Sequence, residues 1–107
     1  GDPTLTNRAG GTIVGQSWGI QSDDTGTITN AGFIGSGTLS GGTTGSFTVN
    51  AGGNAIAMSG GSVTNDATGS IVGGNYGITA DGPMTIVNSG LISGGSHAIY
   101  LTGTGNN

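Results

Sequence analysis

The feature that most restricts this chain is an internal repeat. Leu5–Gly37 lies over Val63–Gly95 at a constant offset of 58 residues without a gap, and 16 of the 33 positions are identical. LTNRAGGTIVGQSWGIQ stands over VTNDATGSIVGGNYGIT, and TITNAGFIGSG over TIVNSGLISGG. Repetition at such a period marks units that cannot bury their apolar face alone and must stack. Without it, the composition would indicate disorder. Gly, Pro, Ser and Gln make up 41 of 107 residues, and 26 of these are Gly.

Each 58-residue unit divides into two shorter cycles, led by Asn7, Asn30, Asn65 and Asn88. Branched aliphatics recur in three columns. Leu5, Ile28, Val63 and Ile86 form the first, Ile13, Ile34, Ile71 and Ile92 the second, and Ile20, Ile56, Ile78 and Ile99 the third. Small hydroxyl residues flank the first column, as in Thr4-Leu5-Thr6 and Thr27-Ile28-Thr29. That period of two predicts short strands with the aliphatic on one face and Thr or Ser on the other. Gly and Asn between the strands predict tight turns with positive φ.

Three short strands per cycle, repeated in register, predict an all-β fold: a right-handed parallel β-helix (β-solenoid). It has about four coils of ~22 residues, each strand pairing with its equivalent one coil away, roughly 4.8 Å along the axis. Residues 1–107 form a single domain. The segment 38–52 is an insertion in the second coil, where Thr38-Leu39-Ser40 and Ser46–Asn50 flank Gly41–Gly45 as a hairpin would.

TITNAGFIGSG, TIVNSGLISGGSHAIYLTG and GSIVGGNYGITADG resemble the passenger domains of bacterial autotransporters, the type V secreted surface proteins. The resemblance covers Thr4–Gly105 apart from Thr38–Gly52. It implies a cysteine-free, Gly/Thr/Ser/Asn-rich β-helix outside the cell, at the bacterial surface or secreted. The family includes adhesins, proteases, toxins and self-associating proteins. Its C-terminal membrane barrel is not among these 107 residues, so the expectation is a fragment or processed piece.

Composition narrows the chemistry. There is one Arg, no Lys and no Cys, with a formal net charge of −4. Arg8 alone cannot neutralise a phosphate backbone, so a nucleic-acid partner is not expected. No apolar run approaches 18 residues, and this segment is not expected to insert in a membrane. No metal or cofactor is expected, since thiolate ligands are absent and His97 is the only His. Asp23 and Asp81 match across the repeat, with Asp24 beside the first. Without a cationic partner they read as turn residues, and the chain reads as no enzyme.

Three surfaces could carry function. Trp18, Asn54, Tyr76 and His97 each stand two residues before a third-column Ile and precede a small residue. They form either a stacked corner or, through Trp18, Tyr76 and His97, a platform for a sugar ring. Val14, Phe33, Val72 and Leu91 alternate outward from the second column as an apolar patch. Either the inserted Leu39, Phe47 and Val49 fold onto it, or it is a lateral contact with another chain. Thr4/Thr6, Thr27/Thr29, Ser62/Thr64 and Thr85/Val87 make a flat hydroxyl array. Asn7, Asn30, Asn65 and Asn88 read as a structural amide ladder.

The functional expectation is a non-catalytic extracellular module, a rigid β-helical stalk or self-associating scaffold. Its partners are neighbouring coils or identical chains, end to end or laterally, with a host surface or glycan as a further contact. The alternatives are a glycan-binding or polysaccharide-degrading β-helix and an ice-binding Thr-rich solenoid.

Overall fold

A computed structural model describes residues 4–40 and 46–103. The first circuit of the chain is β1 (Thr4–Asn7), β2 (Thr12–Gly15) and β3 (Trp18–Gln21). The second is β4 (Thr25–Asn30), β5 (Phe33–Ser40), β6 (Ser46–Val49) and β7 (Asn54–Met58). The third is β8 (Gly60–Asn65), β9 (Ser70–Gly73) and β10 (Tyr76–Ala80). The fourth is β11 (Met84–Asn88), β12 (Leu91–Gly94) and β13 (His97–Leu101). No helix occurs among the described residues.

The protein is all-β, and its strands fall into three parallel sheets that the chain visits in rotation. Their orders are β1-β4-β8-β11, β2-β5-β9-β12 and β3-β7-β10-β13, with β6 attached to β5 alone. Register follows the repeat. Leu5 pairs with Ile28, Ile28 with Val63 and Val63 with Ile86. Ile13, Ile34, Ile71 and Ile92 pair in series, as do Ile20, Ile56, Ile78 and Ile99. Each aliphatic is therefore covered by its counterparts in the circuits above and below. Ile34, Ile56, Val63, Ile71 and Ile78 in the two middle circuits are wholly buried. Leu5, Ile13, Ile20, Ile86 and Ile92 in the outer circuits are only partly covered.

The corner after the first sheet is built by asparagine. Asn7 Nδ2 donates to Asn30 Oδ1 (2.8 Å), Asn30 Nδ2 to Asn65 Oδ1 (2.9 Å), and Asn65 Nδ2 to Asn88 Oδ1 (2.9 Å). The same amides also donate to turn carbonyls: Asn30 to Gly32 O (3.0 Å), and Asn65 to Gly69 O (3.2 Å) and Leu91 O (3.1 Å). Asn30 and Asn65 are fully buried, and these bonds meet the demand that a buried amide be satisfied.

The expected turn chemistry needs one correction. Asn supplies no left-handed turn, for only Gly10, Gly37 and Gly61 have positive φ among the described residues. Most corner glycines answer instead to crowding. A Cβ at Gly15, Gly73 or Gly94 would run into the carbonyl oxygen of Trp18, Tyr76 or His97 respectively, where the chain folds tightly into the third sheet. Gly19 and Gly77 face the second column, against the Cγ2 atoms of Ile34 and Ile92. That crowding explains why the residue before every third-column Ile is Gly or Ala.

The insertion breaks the pattern in one circuit. Ser36 pairs with Gly15, in the position that Gly73 and Gly94 hold later, and β5 runs on to Ser40 to pair antiparallel with β6. The proposed Gly41–Gly45 turn lies outside the described residues. The hairpin's base is held by Asn50, whose N–H donates to Ser36 O (3.0 Å) and whose Nδ2 donates to Gln16 O (2.8 Å).

Removing one rung of the amide ladder should cost more than removing a neighbouring outward side chain. Asn65→Ala removes the bond that the fully buried Asn30 Nδ2 donates to Asn65 Oδ1 and those that Asn65 Nδ2 donates to Gly69 O, Leu91 O and Asn88 Oδ1, and losing hydrogen bonds at a buried site costs about 1–3 kcal/mol. Thr64→Ala, half-buried on the outer face, should stay within about 0.5 kcal/mol of the parent. Urea unfolding followed by circular dichroism checks both; equal midpoints would contradict the ladder's role.

Candidate functional site

The three surfaces that the sequence singles out lie one on each sheet. On the third sheet the register places Trp18 beside Asn54, Asn54 beside Tyr76 and Tyr76 beside His97. The aromatic row is thus interrupted: the strand of Asn54 separates Trp18 from Tyr76 by about 10 Å. Trp18 meets none of the other rings among the described residues and is 49% exposed. Tyr76 and His97 instead gather a ring the sequence reading did not include. Tyr100 stacks on Tyr76 with centroids 4.6 Å apart and planes 8° apart, and it lies 5.1 Å from His97. Tyr76 and His97 meet edge to face at 5.6 Å. Tyr100 sits in the next outward row, opposite Thr79, three residues after His97. The signal was available in HAIYL, where Tyr follows the column Ile directly and so alternates outward. The three rings offer flat apolar faces with polar edges, which can carry a sugar ring or another aromatic surface.

On the second sheet the four expected patch residues fall in two rows. Phe33 and Leu91 flank Ser70 in one, while Val14 and Val72 flank Gly35 in the other. The hairpin closes the gap in the second row. The rings of Phe33 and Phe47 lie over Gly35, where a Cβ would meet both at under 3 Å. The two rings meet edge to face at 4.9 Å. Of the two readings of the patch, folding of the chain's own insertion onto it is the geometry present, through Phe47. Leu39 pairs with Phe47 across the hairpin, and Val49 pairs with Gly37 and remains exposed. Leu91 lies away from the ring pair, two strands from Phe33, and is 53% exposed.

On the first sheet the hydroxyl residues align in two ranks. Thr4, Thr27, Ser62 and Thr85 form one; Thr6, Thr29, Thr64 and Val87 form the other. Val87 is 54% exposed and breaks the second rank at its edge.

Asp23, Asp24 and Asp81 lie at the turn after the third sheet, whereas Asp66 lies at the corner after the first. Asp23 and Asp81 line one open groove with Ser59 and Thr102, one residue from each circuit. Gln21 Nε2 donates to Asp23 Oδ1 (3.0 Å), and Ser59 Oγ donates to Asp23 O (2.6 Å). Ser22 Oγ accepts from Asp24 N–H (3.2 Å), a local turn bond. Neither Lys nor Arg enters the groove, and no three His, Asp or Glu side chains converge among the described residues. The arrangement holds the turns together and presents the Asp23 and Asp81 carboxylates to the groove.

Comparison with known proteins gave no matching family model, no similar curated protein and no similar solved structure.

The aromatic contact on the second sheet can be tested through the hairpin. Phe47→Ala removes the partner of Phe33 and should cost about 0.5–1.5 kcal/mol beyond the lost apolar area. Amide exchange should quicken at β6 and in the Gly37–Ser40 arm, while β8, β9 and β10 keep their protection. Unchanged exchange in β6 would show that Phe47 does not hold the hairpin down.

Proposed function

We propose that this chain is a right-handed parallel β-solenoid serving as a non-catalytic structural module of a bacterial surface protein. It lies outside the cell, as in an autotransporter passenger, and acts as a rigid stalk or self-associating scaffold. The observation that supports this reading most is the rotation of the chain through three parallel sheets with every column in register. Such a body is stiff along its axis because each added circuit brings a full set of strand pairings and one more aliphatic layer. Right-handedness follows from the strong preference of parallel crossovers for that hand.

A scaffold reading also fits what the side chains offer. The Asp23/Asp81 groove lacks a cation, the buried polar groups are spent on the amide ladder and turns, and the outer faces carry Thr, Ser and scattered rings. Near-absence of charge and complete absence of Cys suit a chain that crosses a membrane unfolded and folds outside. Four circuits at about 4.8 Å each give a stack only about 19 Å tall. A stalk of useful length therefore needs further circuits, whether from more chain or from more copies.

Surface location is the testable core of this reading. Antibodies against the 107-residue chain should label intact cells of the source organism, and protease added outside should remove the label. Labelling that appears only after lysis would overturn the proposal.

A further inference from the structure

The chain holds two tyrosines, and the fold puts one against the other. Tyr76 pairs with His97 across β10 and β13, and Thr79 pairs with Tyr100. The tyrosines therefore stand on neighbouring strands, three residues out of step, and their side chains meet over the outer face of the third sheet. Their ring centroids are 4.6 Å apart and their planes 8° from parallel. His97 touches both rings from the side, at 5.6 Å from Tyr76 and 5.1 Å from Tyr100. We propose that Tyr76 and Tyr100 are an oxidative cross-linking site, joined ring to ring by hydrogen peroxide acting through a haem peroxidase. The inference goes beyond the scaffold reading and needs only the register of β10 against β13.

The chemistry balances without any group from the chain other than the two phenols. Each phenol gives up one electron and its hydroxyl proton, which leaves a phenoxyl radical. Part of the unpaired spin sits on the Cε carbons, beside the oxygen. One Cε of each ring then forms a carbon–carbon bond with the other. The hydrogens on the two joined carbons move to the oxygens, and both rings become aromatic again. The net change is two carbon–hydrogen bonds lost and one carbon–carbon bond gained. Two electrons and two protons leave, and with them one hydrogen peroxide becomes two molecules of water.

Geometry decides which tyrosines can do this. Two radicals on separate molecules must find one another, whereas a pair held in contact reacts as one unit. Access for the oxidant is present: Tyr100 is 38% exposed, and Tyr76 is half-buried beside it. Coupling joins ring edges, so the stacked rings must slide past one another. The outward row that holds Tyr100 continues through the smaller Thr79 and Ala57, which leaves room for that movement. No thiol is present to intercept the radicals, and Trp18 lies two strands from Tyr76.

The product is a covalent tie between circuits three and four. A chain with neither Cys nor Lys cannot make a disulfide or a lysine amide bridge, so its tyrosines are the residues through which oxidation can staple the stack. The link closes a loop that contains β11 and β12. Closing a loop removes conformations from the unfolded chain and so favours the folded one.

Peroxidase and hydrogen peroxide, added to the 107-residue chain at low micromolar concentration, test the proposal. The parent should lose two hydrogen atoms in intact mass, stay monomeric in denaturing electrophoresis and gain the blue fluorescence of a biphenol. Fragment spectra should join the peptide of Tyr76 to that of Tyr100. Tyr76→Phe and Tyr100→Phe each keep the ring pair but lack one phenol, and neither should give the monomeric product. Tyr100→Phe combined with Thr48→Tyr restores two phenols, with the second at an exposed position of β6. With circular dichroism matching the parent, it should give no more than about a tenth of the parent's yield. Linkage that appears only between molecules, hydroxylated rings without a link, or an equal yield from the displaced pair overturns the proposal. Linked protein should also need more urea to unfold than unlinked protein. Equal midpoints would overturn the stapling of circuit three to circuit four.

Discussion

The structure depends on parallel, in-register pairing between successive circuits, because no circuit has an inside of its own. Each contributes three branched aliphatics, too few to exclude water alone. A strand pairing of about 4.8 Å brings the next aliphatic to van der Waals range. Hydrogen bonding along the ladder and apolar burial along the column are therefore one event. A slip of one residue would turn every aliphatic outward and every Thr inward. The wholly buried Ile34, Ile56, Val63, Ile71 and Ile78 owe their burial to neighbours above and below. The exposure of Ile99 shows what the same residue looks like without one.

Corners impose the second constraint. At the first, asparagine side chains act as an internal strand, repeating at the same spacing as the backbone and adding a second hydrogen bond to the carbonyls of Gly11, Gly32 and Gly69, each of which also accepts a backbone N–H from the next circuit. At the second, the chain turns so tightly that the carbonyls of Trp18, Tyr76 and His97 occupy the space a Cβ would need at Gly15, Gly73 and Gly94. Only the circuit with the insertion departs from this, with Ser36 where the others have Gly. The hairpin is accommodated there because the corner has been opened, and its Phe47 returns to cover Phe33 and Gly35.

The sequence made the columns legible because a branched aliphatic between two Thr or Ser residues leaves little choice of face. Constant spacing between Asn7 and Asn30, and again between Asn65 and Asn88, then aligned the circuits. The hairpin was legible from Thr38-Leu39-Ser40 and Ser46–Asn50 either side of a Gly-rich stretch. Two things were not. Local sequence offers glycine as a source of positive φ, whereas its use at most corners is close approach between non-adjacent backbones. That is a property of the packed circuits and is invisible in local sequence. Spacing along a single column joins Trp18 to Tyr76 and His97. The side chains cluster instead by reach across rows, so that Tyr100 belongs with Tyr76 and Trp18 does not.

Taken together, the columns, ladder and corners describe a body whose regular direction is its axis and whose individuality lies in one hairpin and one ring cluster. The proposed scaffold role uses this division, with the repeat as the stiff part and the departures from it as places for contact. The most direct measurement is methyl NOE spectroscopy on an Ile/Val-labelled sample. The account predicts cross-peaks between Ile28 and Val63, between Ile34 and Ile71, and between Ile56 and Ile78. Interstrand amide contacts should have the parallel pattern outside the hairpin. Strong Hα–Hα contacts between consecutive strands, with those three methyl pairs silent, would contradict it.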